Sequence, residues 1–138
     1  MTGQPAIIDA GPLVALLHRR DEHHQWARHQ MNQLPPPLLT CDAVITEACF
    51  LLKGVFGGQA AVFNLLQRGI IEAPFRLQGE VKSIAKLLER YANVPMSFAD
   101  ACLVRMSELK PHHSILTIDS DFNIYRRNGK EIIPIIMP

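Results

Sequence analysis

The amino-acid sequence predicts an α/β fold in which helices cover a mostly parallel sheet. Short apolar runs alternate with longer amphipathic stretches along the 138 residues, and this alternation is typical of consecutive βα units. A chain of this length, with 48% hydrophobic residues, can bury one core but is too short for two ordinary domains. We therefore predict a single domain over residues 1–138.

The first strand is predicted over residues 6–8, a short apolar run that ends at Asp9. A turn follows, and Pro12 suits the first position of a helix over residues 13–18. Asp9 is therefore predicted at the carboxyl end of a strand, directly before a helix.

The remaining elements follow from apolar periodicity and from glycine and proline at the element ends. Three prolines after residue 34 end one helix, and Asp42 is predicted to cap the next. Pro134 restricts the last strand to a sheet edge because proline has no N–H to donate. The predicted helices cover residues 21–34, 42–53, 59–68 and 80–91, and the predicted strands cover residues 38–41, 70–73 and 132–136.

A further helix and strand place two more carboxylates at element ends. Ser97 is predicted to cap the helix, and Asp100 lies three residues later, in its first turn. The apolar strand over residues 114–118 is followed directly by Asp119. Ligands of open α/β sheets bind at the carboxyl ends of the strands, so we expect Asp9, Asp100 and Asp119 to meet there.

Glu47 is the fourth candidate carboxylate. It lies one helical turn from Val44 and from Leu51, so it is predicted to point along an apolar face, where its charge is unfavourable unless compensated. Four converging carboxylates would repel one another, and their oxygens suit Mg²⁺ or Mn²⁺. Such an ion can activate a water and neutralise a phosphoryl oxygen, which together hydrolyse a phosphodiester.

The same residues have structural explanations. Asp9 and Asp100 could act only as helix caps. Asp119 and Asp121 could act only as turn formers. Thr117, two residues before Asp119, could orient a water or a carboxylate, or could simply be a residue that favours strands.

Composition limits the function classes. Lys and Arg number 14 against 13 Asp and Glu, so no global field favours nucleic acid or a membrane surface. Three cysteines without a Cys-x-x-Cys spacing predict reduced packing thiols, at positions 41, 49 and 102. No apolar run approaches the roughly 20 residues that span a bilayer, and the N-terminus lacks the pattern of a secretion signal. We expect a soluble, cytoplasmic protein that does not bind a membrane.

Other polar residues carry weaker signals. Adjacent histidines at 23–24 and 112–113 lack the spacing of metal ligands and are predicted at the surface. Arg126, Arg127 and Lys130 form a small basic cluster that could receive RNA phosphates or could be a solvated loop.

Four motifs together resemble those of PIN-domain ribonucleases, most closely the toxin half of bacterial VapBC toxin–antitoxin pairs. They are residues 7–13 (IIDAGPL), residues 46–47 (TE), residues 99–101 (ADA) and residues 116–122 (LTIDSDF). The motifs occur in the family's order and at its separations over nearly the whole chain. One departure is the Ala-Gly pair after Asp9, where many members have a hydroxyl residue.

The resemblance implies a PIN-like, three-layer α/β/α sandwich and endonucleolytic cleavage of RNA. It also implies a Mg²⁺ or Mn²⁺ site and catalytic residues formed by Asp9, Glu47, Asp100 and Asp119, with Thr117 and Asp121 as candidates to support them. A homodimer and a cognate antitoxin protein are the implied partners. RNA-processing PIN domains share these motifs, so both a toxin and an RNA-processing enzyme fit them.

Two other function classes compete with a metal-dependent endoribonuclease. One is a catalytically silent PIN-like module that binds a protein or RNA, which the presence of all four acids disfavours. The other is a phosphohydrolase that uses Asp119 and Asp121 as nucleophile and acid. In such haloacid-dehalogenase-like enzymes the pair follows the first strand and precedes a small hydroxyl residue, whereas here it comes late and precedes Phe122.

Overall fold

Five short parallel strands form the central sheet of the protein, whose computed structural model describes residues 3–138. The strands in chain order are β1 (Ala6–Ile8), β2 (Leu38–Leu39), β3 (Ile71–Glu72), β4 (Ser114–Leu116), β5 (Arg126–Arg127), β6 (Glu131–Ile132) and β7 (Ile135–Ile136). The helices are α1 (Ala10–Leu17), α2 (His24–Gln33), α3 (Asp42–Leu51), α4 (Gly58–Gln67), α5 (Val81–Arg90) and α6 (Phe98–Leu109). A 3₁₀ helix (Ser120–Asn123) lies between β4 and β5.

The central sheet has the strand order β3-β2-β1-β4-β7, and every neighbouring pair in it is parallel. The chain builds β2 and β3 outward on one side of β1 and later adds β4 and β7 on the other. β1 and β4 therefore flank the topological switch point, where open α/β sheets bind ligands. The predicted three-layer α/β/α sandwich around a mostly parallel sheet is confirmed; only β5 and β6 pair antiparallel, in a separate ribbon.

The two central strands are buried among the helices. Ile7 of β1 and Ile115 of β4 face each other in the parallel register, and both are fully buried. Continuous apolar strands of this kind are typical of parallel sheets covered on both faces. The last registered pair of residues joins Ile8 to Leu116. The next residues along these two strands, Asp9 and Thr117, are therefore neighbours at the carboxyl edge of the sheet.

The starts of α1 and α2 each differ by three residues from the predicted ones, and the predicted cap of α3 is wrong by one residue. α1 begins at Ala10 because Asp9 caps it: the carboxylate Oδ1 of Asp9 accepts a 2.7 Å hydrogen bond from the Ala10 N–H. Pro12 consequently lies inside the first turn and not at the first helical position. Asp42 is the first residue of α3, and the capping position belongs to Cys41. The acidic side chain of Asp42 still lies in the first turn, where it is favourable to the helix dipole.

The predicted last strand, residues 132–136, is divided at Pro134. Its first part belongs to β6, which pairs with β5. Its second part is β7, which forms the edge of the central sheet next to β4. Pro134 cannot donate to the ladder, but its carbonyl accepts a 2.9 Å hydrogen bond from the Ile115 N–H. The edge position predicted for this segment is therefore confirmed for β7 alone.

Two expectations from composition concern thiols and membrane spans. Cys41, Cys49 and Cys102 are free, and the first and last of them are buried. None of the helices within residues 3–138 combines the length and the hydropathy that crossing a bilayer requires.

Candidate active site

Asp9 is buried at the carboxyl end of β1, with 7% of its surface exposed. Both of its carboxylate oxygens are held, since Oδ1 accepts from the Ala10 N–H and Oδ2 accepts from the Thr117 hydroxyl, each at 2.7 Å. The pKa of Asp9 is raised to about 6, chiefly by burial and to a smaller extent by the charges of Asp100 and Glu47, while the two hydrogen bonds oppose the rise. Asp9 is therefore both a helix cap and a carboxylate with a displaced pKa.

Asp100 is both a capping residue of α6 and a carboxylate of the candidate site. It completes the capping box of α6: the Asp100 N–H donates to the Ser97 hydroxyl at 3.0 Å, and the Ser97 N–H donates to Asp100 Oδ2 at 3.3 Å. The same Oδ2 accepts a 2.9 Å hydrogen bond from the Tyr125 hydroxyl. Burial and the charge of Asp119 raise the pKa of Asp100, while these hydrogen bonds oppose the rise.

Asp119 follows β4 and begins the 3₁₀ helix. Its Oδ1 accepts from the Asp121 N–H at 2.9 Å, so the predicted turn-forming role of Asp119 is present. Its own N–H donates to the Thr117 hydroxyl at 3.0 Å. Thr117 is fully buried and connects the backbone of Asp119 to the carboxylate of Asp9. It is thus a positioning residue for two acids as well as a strand residue.

The surroundings of Glu47 differ from the predicted ones. The structure places it on an exposed part of α3 and not along a buried apolar face. Val44, one turn earlier, is buried, but Leu51, one turn later, is 51% exposed. Partial burial and the charges of Asp100 and Asp119 raise the pKa of Glu47. Glu47 is therefore solvated, and it lies close enough to the aspartates to interact with them.

The four predicted acids line a single pocket of about 480 Å³, which we call the acidic pocket. Its wall also includes the side chain of Asp121 and the small residue Gly11. A Cβ at Gly11 would come within 3.2 Å of the Ile118 side chain, so a larger residue there would press on the pocket wall. The residues lining this pocket are Asp9, Gly11, Glu47, Pro95, Ser97, Asp100, Ile118, Asp119 and Asp121.

The donor set of the acidic pocket suits a hard divalent cation, because it consists of carboxylate oxygens that raise one another's pKa. Within residues 3–138, however, no three His, Cys, Asp or Glu side chains stand close enough together to hold a metal ion as they are placed. The pocket therefore offers oxygen donors of the kind that Mg²⁺ and Mn²⁺ prefer, and a bound ion stays a prediction.

Tyr125 is a site residue that sequence reasoning missed. It is fully buried, and its ring contacts Tyr91 and Phe122 edge-on, at centroid distances of 5.1 and 5.2 Å. Burial and the hydrogen bond to Asp100 raise the pKa of the Tyr125 hydroxyl, so it remains a donor. The only local signal was an aromatic pair, Phe122 and Tyr125, spaced three residues apart after the acidic turn.

The two arginines of the basic cluster donate hydrogen bonds to backbone carbonyls of the fold. Arg126 Nη1 donates to the carbonyl oxygen of Asn123 at 2.7 Å and to two further carbonyls of the same turn. Arg127 Nη1 donates to the carbonyls of Ser107 and Pro111, at 3.2 and 3.1 Å. Arg127 therefore ties the segment after β4 to α6 and the loop that follows it, and Arg126 closes its own turn. Lys130 of the cluster is exposed, whereas Arg126 and Arg127 are partly buried, so the interpretation as a fully solvated loop does not hold for the two arginines. Binding of RNA phosphates by the cluster stays a prediction.

The paired histidines do not line the acidic pocket. His23, His24 and His113 are partly buried, which differs from the predicted surface placement, and His112 is exposed as predicted. His24 Nδ1 lies 2.7 Å from the carbonyl oxygen of Ala15, and this contact ties α2 to α1. His113 Nδ1 is buried without a hydrogen-bond partner among residues 3–138. Burial, together with Lys110 and His112, lowers the pKa of His113.

At the level of sequence, no protein family profile and no curated protein matches the chain. Comparison of folds gives clear similarities. The structure is similar to that of Mycobacterium tuberculosis VapC20, a sarcin-ricin loop cleaving toxin, with a TM-score of 0.73 and 22% identity over 86% of this chain and 93% of that chain. The chain has the fold of a VapC toxin.

A second solved structure is also similar in fold. It belongs to a toxin–antitoxin complex from Klebsiella pneumoniae, and it is similar to this chain with a TM-score of 0.63 and 16% identity. The similarity covers 83% of this chain and 87% of that chain. Because both identities are low, the two comparisons establish the VapC-like fold and carry no residue roles across.

Proposed function

We propose that the chain is an endoribonuclease that hydrolyses RNA phosphodiester bonds with Mg²⁺ or Mn²⁺, and that it is the toxin of a toxin–antitoxin pair. The observation that carries the proposal is the acidic pocket at the switch point of the sheet, lined by Asp9, Glu47, Asp100 and Asp119. Its support is the shared fold with VapC20, which is an RNA-cleaving toxin.

Asp9, Glu47, Asp100 and Asp119 would hold the cation. When bound, Mg²⁺ or Mn²⁺ lowers the pKa of a water and neutralises charge on a phosphate oxygen. The chain's own contribution is preorganisation: the Thr117 hydroxyl and the Ala10 N–H fix the plane of the Asp9 carboxylate.

A proton must leave the water that attacks phosphorus, and a carboxylate within reach of that water would accept it. Among the four acids, Glu47 alone has an exposed side chain, so solvent reaches its carboxylate. In the overall reaction the water oxygen bonds to phosphorus, the bond from phosphorus to one ribose oxygen breaks, and that oxygen leaves with a proton.

Cleavage assays on purified protein test the catalytic part. Wild type should cut structured RNA in Mn²⁺ or Mg²⁺ and not in EDTA. Asp9→Asn and Asp100→Asn should abolish cutting while the circular dichroism spectrum stays unchanged, because both substitutions nearly conserve shape and Asn also caps helices. His112→Ala, outside the acidic pocket, is the matched control. Cutting by both Asn variants at the wild-type rate would contradict the assignment.

The toxin part requires an experiment in cells. Expression of the wild-type chain in a bacterial host should arrest growth and create new RNA ends at a few loop positions, and Asp9→Asn should do neither. The near-neutral charge of the chain supports this restricted pattern, because it offers no broad basic surface for indiscriminate RNA binding. Co-expression of an adjacent antitoxin gene should restore growth.

A homodimer is proposed as the form in solution, and its mass is measurable by light scattering.

One observation favours a second candidate, the silent PIN-like module that binds protein or RNA. The acids of the described residues 3–138 do not stand within one coordination sphere. Under that alternative, wild type would bind RNA or a protein partner and cut no RNA at any Mn²⁺ concentration, and expression in cells would create no Asp9-dependent ends.

A further inference from the structure

A second pocket opens directly beside the acidic pocket, and the two share Glu47 and Ser97 in their walls. It has a volume of about 680 Å³ and lies between α3 and the start of α6, two helices that contact each other. Phe50 of α3 and Phe98 of α6 contribute aromatic rings to its wall. We call it the phenylalanine pocket.

Both rings are unusually exposed for phenylalanine. Phe50 is 64% exposed and Phe98 is 45% exposed, although each lies on a helix whose other face packs in the core. Exposed aromatic side chains lining a concave surface mark sites that bind a partner or ligand. The wall also contains the Asp42 carboxylate and the Thr46 hydroxyl, so the pocket combines aromatic faces with hydrogen-bond acceptors.

We propose that the phenylalanine pocket binds one unstacked base of a single-stranded RNA whose backbone enters the acidic pocket. This inference rests on the proposed ribonuclease function and names the part of the substrate that positions the scissile bond. Proteins that recognise single-stranded RNA stack its splayed bases on aromatic side chains and bind the base edges with polar groups. Phe50 and Phe98 would supply the stacking surfaces, and Asp42 and Thr46 would supply acceptors for a base amino group.

The charges around the pocket fit this occupant. A base is uncharged, so it can lie beside Asp42 and Glu47, which would repel a phosphate. The Lys53 ammonium lies over one face of the Phe50 ring, 4.8 Å from its centre. A base that stacked on that face would displace the ammonium, and the flexible lysine side chain could then contact the phosphate of the same nucleotide.

Fluorescence anisotropy in Ca²⁺, a cation that carboxylates bind, tests the pocket while gel electrophoresis of the labelled strand checks that it stays uncut. The probes are a labelled single-stranded RNA of mixed sequence, about 12 nucleotides long, and a ribose-phosphate chain of the same length without bases. Phe98→Ala and Phe50→Ala should weaken binding of the RNA by about fivefold or more, the loss of one stacked base. Neither variant should change the weaker binding of the abasic chain. Phe56→Ala is the matched control, because Phe56 is fully exposed and lines neither pocket.

Two conservative variants separate stacking from general apolar contact. Phe98→Tyr keeps the π surface and should bind RNA as wild type does, whereas Phe98→Leu keeps the apolar bulk and should bind as weakly as Phe98→Ala. Wild-type affinity in Phe98→Leu, or in both alanine variants, overturns the proposal. An affinity loss that appears only together with a change of molecular mass in light scattering also overturns it, because the face would then be a contact between copies of the chain. Weakened antitoxin binding with unchanged RNA binding would overturn it in favour of a protein partner.

Failure of this inference is distinguishable from failure of the proposed function. A wild-type protein that cuts RNA, with Phe98→Ala cutting at the same kcat/KM, refutes the base pocket alone. A wild-type protein that binds RNA through Phe98 but never cuts refutes the ribonuclease and leaves the pocket in place.

Discussion

The buried carboxylate of Asp9 makes the stability of the metal-free protein depend on pH. Burial raises the pKa of Asp9 from its ordinary value of 3.8 to about 6 in the folded state. This displacement corresponds to about 3 kcal/mol of folding free energy. The pKa of Asp9 is higher in the folded state than in the unfolded state. The stabilisation by protonated Asp9 is therefore fully present below the unfolded pKa and is lost as the pH rises through about 6. Between pH 4 and pH 7.5, Asp9 therefore lowers the free energy of unfolding by up to about 3 kcal/mol.

Asp9→Asn removes this ionisation. The amide oxygen can still accept from the Ala10 N–H, and the amide nitrogen can donate to the Thr117 hydroxyl. The Thr117 proton then has no acceptor, which lowers the free energy of unfolding by about 1 kcal/mol at every pH. The variant should be less stable than wild type by about 0.5 kcal/mol at pH 4, where the unfolded carboxyl group is already partly ionised, and more stable by about 2 kcal/mol at pH 7.5.

Urea unfolding in EDTA, followed by circular dichroism at the two pH values, measures this crossover. Glu72→Gln, at an exposed position on β3, is the control and should follow wild type at both pH values. A difference between Asp9→Asn and wild type that is constant over the whole range would refute the reasoning.

Three further predictions concern the groups around the acids. Thr117→Val should destabilise the fold by roughly 1–3 kcal/mol, because a buried oxygen of Asp9 loses its hydrogen-bond donor. It should also shift the acid limb of the pH–rate profile to higher pH, and an unshifted limb would contradict this. Tyr125→Phe should raise the pKa of Asp100, seen by NMR titration, since a hydrogen bond to the ionised form is lost; an unchanged pKa would mean that the bond is absent in solution. Mn²⁺ should raise the melting temperature of wild type and leave that of Asp100→Asn nearly unchanged, and equal shifts would place the ion elsewhere.

Local patterns in the sequence predicted the elements that carry the acids. The capping box of Ser97 and Asp100 was readable because its partners are three residues apart, and it is present in the structure. The apolar runs before Asp9 and Asp119 were readable because a strand buried on both faces has a continuous apolar sequence. Element ends were less accurate: the start of α1 depended on whether the Asp9 side chain turned back onto the Ala10 N–H.

Glu47 illustrates the limit of helical periodicity. The spacing of Val44 and Leu51 predicted an apolar surround, but periodicity describes one helix and does not say which part of its face another element covers. In the structure Leu51 is half exposed and Glu47 is solvated beside a pocket. The position of Glu47 among the acids agrees with the prediction, although the physical reason offered for it was wrong.

The sequence by itself determined that this chain alternates strands and helices and that carboxylates follow two of its buried strands. The tertiary structure alone decided which groups hold those carboxylates. Thr117 reaches Asp9 across 108 positions because β1 and β4 pair in one parallel register, and Tyr125 reaches Asp100 because the segment after the 3₁₀ helix packs its rings inward. Such contacts depend on where distant segments come to rest, and a residue's sequence neighbours carry no information about that.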